Sequence, residues 1–307
     1  MSRMISTVTG EISVEELGIT SAHEHIKAPT ECRELMLEFQ VKDLLRAKAA
    51  GLKTIVEVSP DRDIELLKEV SERTGVQIIP CTGKYTFSQE EKSYTVEKLY
   101  QLWLDEVEHG IGGSSVRPGV IKVASFGAFP DECETRAFLA AGRLQKDTGL
   151  PICVHSVKGC KRQQDLLEEA GADLSRVYFS HVEAEFGWEG RTLEEQLDYL
   201  ESVVKKGSYL SYNNFGNWAH TRQEILARII REMAARGYGD RQVATMDTVI
   251  SVKEGEIRVL WDDINPKGKE RTYSYLLEKA LPWMVLNGIS ESDAHRMVCG
   301  NVAAIFA

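Results

Sequence analysis

The 307-residue chain has no uninterrupted apolar run approaching ~18 residues, and residues 1–10 lack the apolar core of a secretory leader. It is therefore expected to be soluble and cytoplasmic, with no membrane partner. It also has no long basic run: 47 acidic against 37 basic residues leave a formal charge of -10, which argues against a nucleic-acid partner. Its six cysteines, Cys32, Cys81, Cys133, Cys153, Cys160 and Cys299, are dispersed and form no C-x-x-C pair, which suits reduced and mostly buried thiols. No internal repeat, low-complexity tract or linker marks a boundary. Residues 1–307 are thus expected to form one domain, within the size range of a single α/β barrel.

What is present is an alternation of short β-rich runs with helical patterns. Residues 41–50 and 64–73 carry apolar side chains at helical spacing, each with a glycine at or just past the C-cap. Further helices are expected over 134–148, 162–170, 193–206 and 222–236. Runs of strand length and composition fall at 19–22, 54–58, 76–81, 119–124, 151–155, 177–181, 209–212 and 242–246, with Pro80 shortening the third. Repeated βα units imply a parallel sheet, and eight of them imply an α/β fold closed as a (β/α)8 TIM barrel.

Against that frame the polar residues stand out. A parallel barrel strand is buried on both faces, so an ionisable side chain in it or at its C-terminal end calls for an explanation. His23 and His25 close the first strand and, two residues apart, point the same way and can grip one ion. Lys122 lies in strand four, His155 ends strand five, His181 ends strand six, and Asp247 follows strand eight. All lie toward the face where barrel enzymes keep their chemistry. Buried beside cations, the Lys122 ammonium is disfavoured by desolvation and by like charge, so a neutral amine able to add carbon dioxide becomes accessible. The plainer alternative is an unmodified lysine paired with a carboxylate.

This set, His23-x-His25, Lys122 within Val-Ile-Lys-Val-Ala, His155, Ser180-His181 and Met246-Asp247-Thr248, resembles the phosphotriesterase-related branch of the amidohydrolase superfamily. The resemblance extends to Thr82-Gly83-x-Tyr85 and to the terminal Gly300-Asn301-x-Ala303. It implies two divalent ions, zinc being the expected metal. His23, His25 and Asp247 would hold one and His155 with His181 the other, with Lys122 as a carboxylated, bridging lysine. It further implies a bridging hydroxide as nucleophile, Asp247 as the base, and Tyr85 among the substrate contacts. Glu57, at the end of strand two, is a candidate partner for a ligand histidine.

The departures from the family bear on the substrate. Ala184 stands where organophosphate-cleaving members carry an aspartate, and Asn213-Asn214 matches neither the Asp-Arg of lactonase relatives nor the histidine of organophosphate hydrolases. The long stretch 249–271, with Trp261, is expected to shape or close the pocket, and Trp188 and Trp218 are further candidates to line it. Cations at Lys84, Lys158 and Arg162 are read as holding a phosphate or carboxylate of a small-molecule substrate. Hydrolysis of an anionic carboxylic ester or lactone is then expected, with phosphotriesterase or amidase activity on the same site as alternatives. A mononuclear deaminase-like hydrolase would use a similar set without needing Lys122, and a non-enzymatic metal-stabilised binding protein would not need an intact Asp247. The sequence leaves open whether the chain pairs with itself as a homodimer.

Overall fold

The computed structural model describes residues 3–184, 190–218, 220–260, 262–265 and 268–307. A short antiparallel hairpin, β1 (Met4–Thr7) and β2 (Gly10–Ser13), precedes the barrel. Eight strands follow: β3 (Ile19–Glu24), β4 (Leu52–Glu57), β5 (Gln77–Gly83), β6 (Val120–Ser125), β7 (Ile152–Ser156), β8 (Val177–Ser180), β9 (Tyr209–Tyr212) and β10 (Gln242–Ala244). They form one sheet in chain order, and every pair in its ladder is parallel. The expected barrel is therefore present as eight parallel strands with helices between them.

Those helices are α1 (Arg33–Ala49), α2 (Ile64–Thr74), α3 (Val96–His109), α4 (Glu132–Thr148), α5 (Lys161–Glu169), α6 (Leu193–Val204) and α7 (Gln223–Met233). Local chemistry sets their limits. Asp63 caps α2 by accepting from Leu66 N–H, and Gly75, in the left-handed region at φ 65°, ends it. Asp131 and Glu134 form a reciprocal capping box on α4, which ends at Gly149 with φ 71°. α3, absent from the helices read in the sequence, starts at Thr95, whose hydroxyl accepts from Lys98 N–H.

Pro80 does not shorten β5, which runs on to Gly83. The Pro80 carbonyl accepts from Gly119 N–H at 2.9 Å, just before β6 begins, so the missing N–H falls where the ladder to β6 has not started. At the seam between β10 and β3, side chains do what a ladder does elsewhere. Thr245 Oγ1 accepts from His23 N–H and donates to the His23 carbonyl, both at 3.0 Å, and lies 2.9 Å from Ser21 Oγ.

The interior is filled by Val56, Ile79, Cys81, Val120, Cys153, Tyr178 and Val243, while a second apolar layer joins the strands to the helices. Three terminal helices, α8 (Leu281–Leu286), α9 (Glu291–Val298) and α10 (Gly300–Phe306), complete the chain. Val302, Ile305 and Phe306 pack with Ile5, Ile12 and Leu17 at the N-terminal end of the barrel. Asn301 secures α10 there by donating to the Gly239 and Gln242 carbonyls at 2.9 and 2.7 Å, a physical use for the Gly300-Asn301-x-Ala303 motif. The opposite end is left to the loops that follow the strands. Among the described residues, no helix is long and apolar enough to cross a membrane.

Candidate metal centre and active site

β3 delivers both histidines of the His23-Glu24-His25 triplet to the C-terminal mouth. His23 is 1% exposed; its Nδ1 meets Ser180 Oγ at 2.7 Å, and its Nε2 lies 3.5 Å from Asp247 Oδ1. His25 repeats the pattern, with Nδ1 2.7 Å from Ser59 Oγ and Nε2 3.0 Å from the same Asp247 oxygen. In each ring a hydroxyl holds the outer nitrogen and fixes the orientation, leaving Nε2 at the centre. One ligand atom from each of His23, His25 and Asp247 falls within 4.8 Å of the others.

His155 and His181 stand beside this trio, their ring centroids 4.5 Å apart. His181 Nε2 is buried with no hydrogen-bond partner among the described residues and sits 3.7 Å from Asp247 Oδ2. Lys122 is fully buried below them, its Nζ 3.2 Å from His23 Nε2 and 3.6 Å from Cys153 Sγ. Among the described residues no carboxylate pairs with it, so the plainer expectation of a lysine–carboxylate pair is not met. Gly83 explains how β5 and β6 approach so closely here: at φ 108° a Cβ would fall 2.0 Å from the Lys122 carbonyl oxygen.

The electrostatics suit cations. Burial, reinforced by Lys122, holds His23 well below the ordinary 6.5, and burial with His181 and Lys122 does the same to His155. Burial brings His181 down to about 4. Burial would raise the Asp247 carboxyl, but His23, His25 and His181 outweigh it and hold the group well below 3.8. Neutral imidazoles around an ionised aspartate, an orphaned buried imidazole nitrogen and a buried lysine with no counter-ion form a donor set that fits divalent metal.

The backbone supporting these groups is strained where the chemistry sits. His181 and Asp247 adopt φ 66° and 53°; the one other non-glycine residue with positive φ among the described residues is Glu254, in a hairpin turn. Buried glutamates clamp the loops. Glu24 accepts from Met246 N–H and Thr248 N–H at 3.3 and 2.8 Å, gripping the peptides on either side of Asp247, and also bonds Ser21 Oγ. Glu57 accepts from Ile26 N–H and Ser59 N–H at 3.2 Å, so it supports His25 through Ser59 rather than by touching the ring.

Above the centre lies a cavity of about 450 Å³. Tyr85 lines it, its ring 5.1 Å from both Phe126 and His155. The three cations assigned to the substrate do not reach it. Lys84 is drawn into an ion pair with Glu91, and Lys158 and Arg162 are exposed to solvent. Closeness in sequence to the loop after His155 is not closeness to the cavity, whose lining includes none of the three. The positively charged groups at the wall are Lys27, bidentate to Asp61 at 2.7 and 2.8 Å, and Arg271, whose guanidinium is buried against the carbonyls of Asn213, Phe215 and Met246. Asn217 and His220 line it too. Sequence reasoning missed all four, because none lies on a strand; the lone histidine in the loop after β9 was the one available signal.

The stretch 249–271 carries a hairpin, β11 (Ile250–Lys253) and β12 (Glu256–Val259), and Val249 and Leu260 at its base line the cavity. Trp218 is 53% exposed and does not line it. Trp188 and Trp261 lie outside the described residues.

The chain is similar to known proteins along its whole length. N-acetyltaurine hydrolase of Xenopus tropicalis is 28% identical, covering 98% of this chain and 97% of its own. The phosphotriesterase homology protein of Escherichia coli is 25% identical, covering 96% and 100%. Among solved structures, a variant of a Deinococcus radiodurans PTE-like lactonase superposes with a TM-score of 0.85 at 25% identity, over 99% of this chain and 100% of the other. A mutant organophosphorus hydrolase of the same organism gives 0.86 at 25% identity, over 100% and 98%. The model of the phosphotriesterase family matches residues 3–306, and the chain belongs to that family of hydrolases.

Proposed function

We propose that the protein is a binuclear metal-dependent hydrolase that cleaves the carboxylic acyl bond of a small ester or lactone. The observation that carries this reading is Lys122, buried below the His23–His25–Asp247 cluster and the His155–His181 pair with no carboxylate paired to it among the described residues. As a carboxylated lysine it would turn from an uncompensated cation into a shared anionic ligand. His23, His25 and Asp247 would hold one ion, and His155 and His181 the other, zinc being the expected metal.

Two such ions supply an activated water at neutral pH and polarise the oxygen of the bond under attack. The remaining work falls to the chain. Asp247, kept ionised by its histidine neighbours and lining the cavity, would take the proton released as the bond is attacked and hand it to the leaving group. Tyr85, Phe126 and Val157 form a wall that orients an apolar part of the substrate, and Val249 and Leu260 cover the opposite side against water. A lactone or ester substrate is supported by the lactonase neighbour; an amide is the second reading, favoured by the N-acetyltaurine hydrolase relatives.

Metal analysis of the purified protein should give close to two divalent ions per chain, with Lys122 carrying the added mass of a carboxylate. Lys122→Ala should lose metal and activity together. One ion per chain and an unmodified lysine would instead favour the mononuclear reading.

A further inference from the structure

The asparagines that match no specialist signature of the family have a use of their own. Asn217 lies in the loop after β9 and is 2% exposed, yet it lines the cavity. Its main chain is fully engaged: its N–H donates to the Asn214 carbonyl at 3.0 Å and its carbonyl accepts from Thr221 N–H at 3.2 Å. Its Nδ2 donates to Asn214 Oδ1 at 3.2 Å. The orientation of Asn214 is set from the other side. Glu183 Oε1 accepts from Asn213 N–H and Asn214 N–H at 2.6 and 2.7 Å and so fixes the Asn214 backbone. The Asn214 oxygen faces Asn217. With its amino group turned to Asn214, Asn217 has its Oδ1 left over, with no partner among the described residues. Folded proteins satisfy roughly 90% or more of such buried atoms, so an exception in a cavity wall points to a ligand.

We propose that Asn217 Oδ1 receives an N–H or O–H of the substrate. The substrate is then an acyl compound whose portion facing the β9 loop carries a neutral donor, an amide N–H or a hydroxyl, while its apolar portion lies on Tyr85, Phe126 and Val157 across the cavity. At that point of the wall an amide oxygen, which can only accept, selects a neutral N–H or O–H donor and disfavours an anion. This deepens the acyl-hydrolase reading and rests on it for the bond cleaved. A site built around one hydrogen-bonding group discriminates strongly against the analogue without it, because the protein atom is then left unpaired.

Two matched pairs test this on the metal-loaded enzyme. One is γ-butyrolactone bearing a hydroxymethyl or a methoxymethyl group beside the ring oxygen; the other is 2-acetamidoethyl acetate against its N-methylated amide. Wild type should prefer the donor-bearing member of at least one pair by ~10-fold or more in kcat/KM, the pair telling hydroxyl from amide. In Asn217→Leu that ratio should fall to within about twofold. Calorimetric titration with the hydrolysis-inert hydroxymethyl and methoxymethyl cyclopentanones and with 2-acetamidoethyl methyl ketone and its N-methyl counterpart reads the same contact without turnover. Equal kcat/KM within both pairs, or equal affinities within both inert pairs, overturns the proposal. A donor preference in the inert compounds with no hydrolysis of any ester or lactone would uphold the contact and sink the reading of the bond cleaved.

Discussion

Asp247 shows how one residue is made both strained and necessary. Its φ of 53° is an uphill conformation for most residues, held by its own N–H bonded to the His23 carbonyl at 3.0 Å and by Glu24 on the flanking peptides. Asparagine tolerates the left-handed region well, so Asp247→Asn should preserve the loop while removing the basic carboxylate. We expect kcat to fall by ~10² or more with most of the metal retained, checked by turnover and metal content on the same preparation. Unchanged turnover would make Asp247 a ligand only. The residues proposed as metal ligands were legible in the sequence because each is an ionisable group in or beside a strand buried on both faces, where only a reason can keep it. Glu24 and Asn217 were not, since nothing in the sequence announces that the one accepts from backbone N–H groups of a distant loop and that the other lines the cavity. Lys84, Lys158 and Arg162 misled for the converse reason: a cation next to a site in sequence was free to turn to Glu91 or to solvent.

Among the elements, the seam between β10 and β3 is the weakest join of the sheet and the one the candidate metal centre leans on. Thr245 supplies there a donor and an acceptor that backbone supplies elsewhere, and it does so to the residue whose ring enters the centre. Thr245→Val keeps the shape and leaves the buried His23 N–H without its acceptor, a loss of about 1–3 kcal/mol. Urea unfolding of the variant should show that decrease, and titration with metal should show weaker binding. Stability and affinity equal to wild type would mean that packing alone holds the seam. The eight strands could be read from their β-branched composition, but their ends could not. β10 stops at Ala244, not at Met246, because Thr245 turns to β3, and β5 continues past Pro80 because no ladder bond is lost. The β1–β2 and β11–β12 hairpins escaped notice because their strands are only four residues long and partly exposed, although β11 and β12 alternate apolar and polar residues.

For the whole molecule, burying three histidines in neutral form ties stability to pH in a definite direction. In the unfolded chain an imidazole takes up its proton near 6.5; in the folded, metal-free protein His181 does so only at about 4, and burial keeps His23 and His155 well below 6.5. Between those limits the unfolded state binds more protons than the folded one, so stability must fall as pH falls from about 6.5 toward 4. Bound metal adds to the same trend, because a ligand histidine gives up its metal when protonated, and the loaded protein should resist acid further than the stripped one. Opposing this are Glu24 and Glu183, whose carboxyls burial raises to about 7: they hold protons in the folded state that the unfolded chain has already lost, and so favour folding toward lower pH over part of the range. The two contributions separate by substitution. Glu183→Gln removes one opposing group, so metal-free Glu183→Gln should lose stability more steeply than metal-free wild type between pH 7 and 4.5, measured as the urea midpoint at half-unit steps. A slope no steeper than that of wild type would show that Glu183 keeps its charge throughout, and that the backbone N–H groups of Asn213 and Asn214 outweigh its burial.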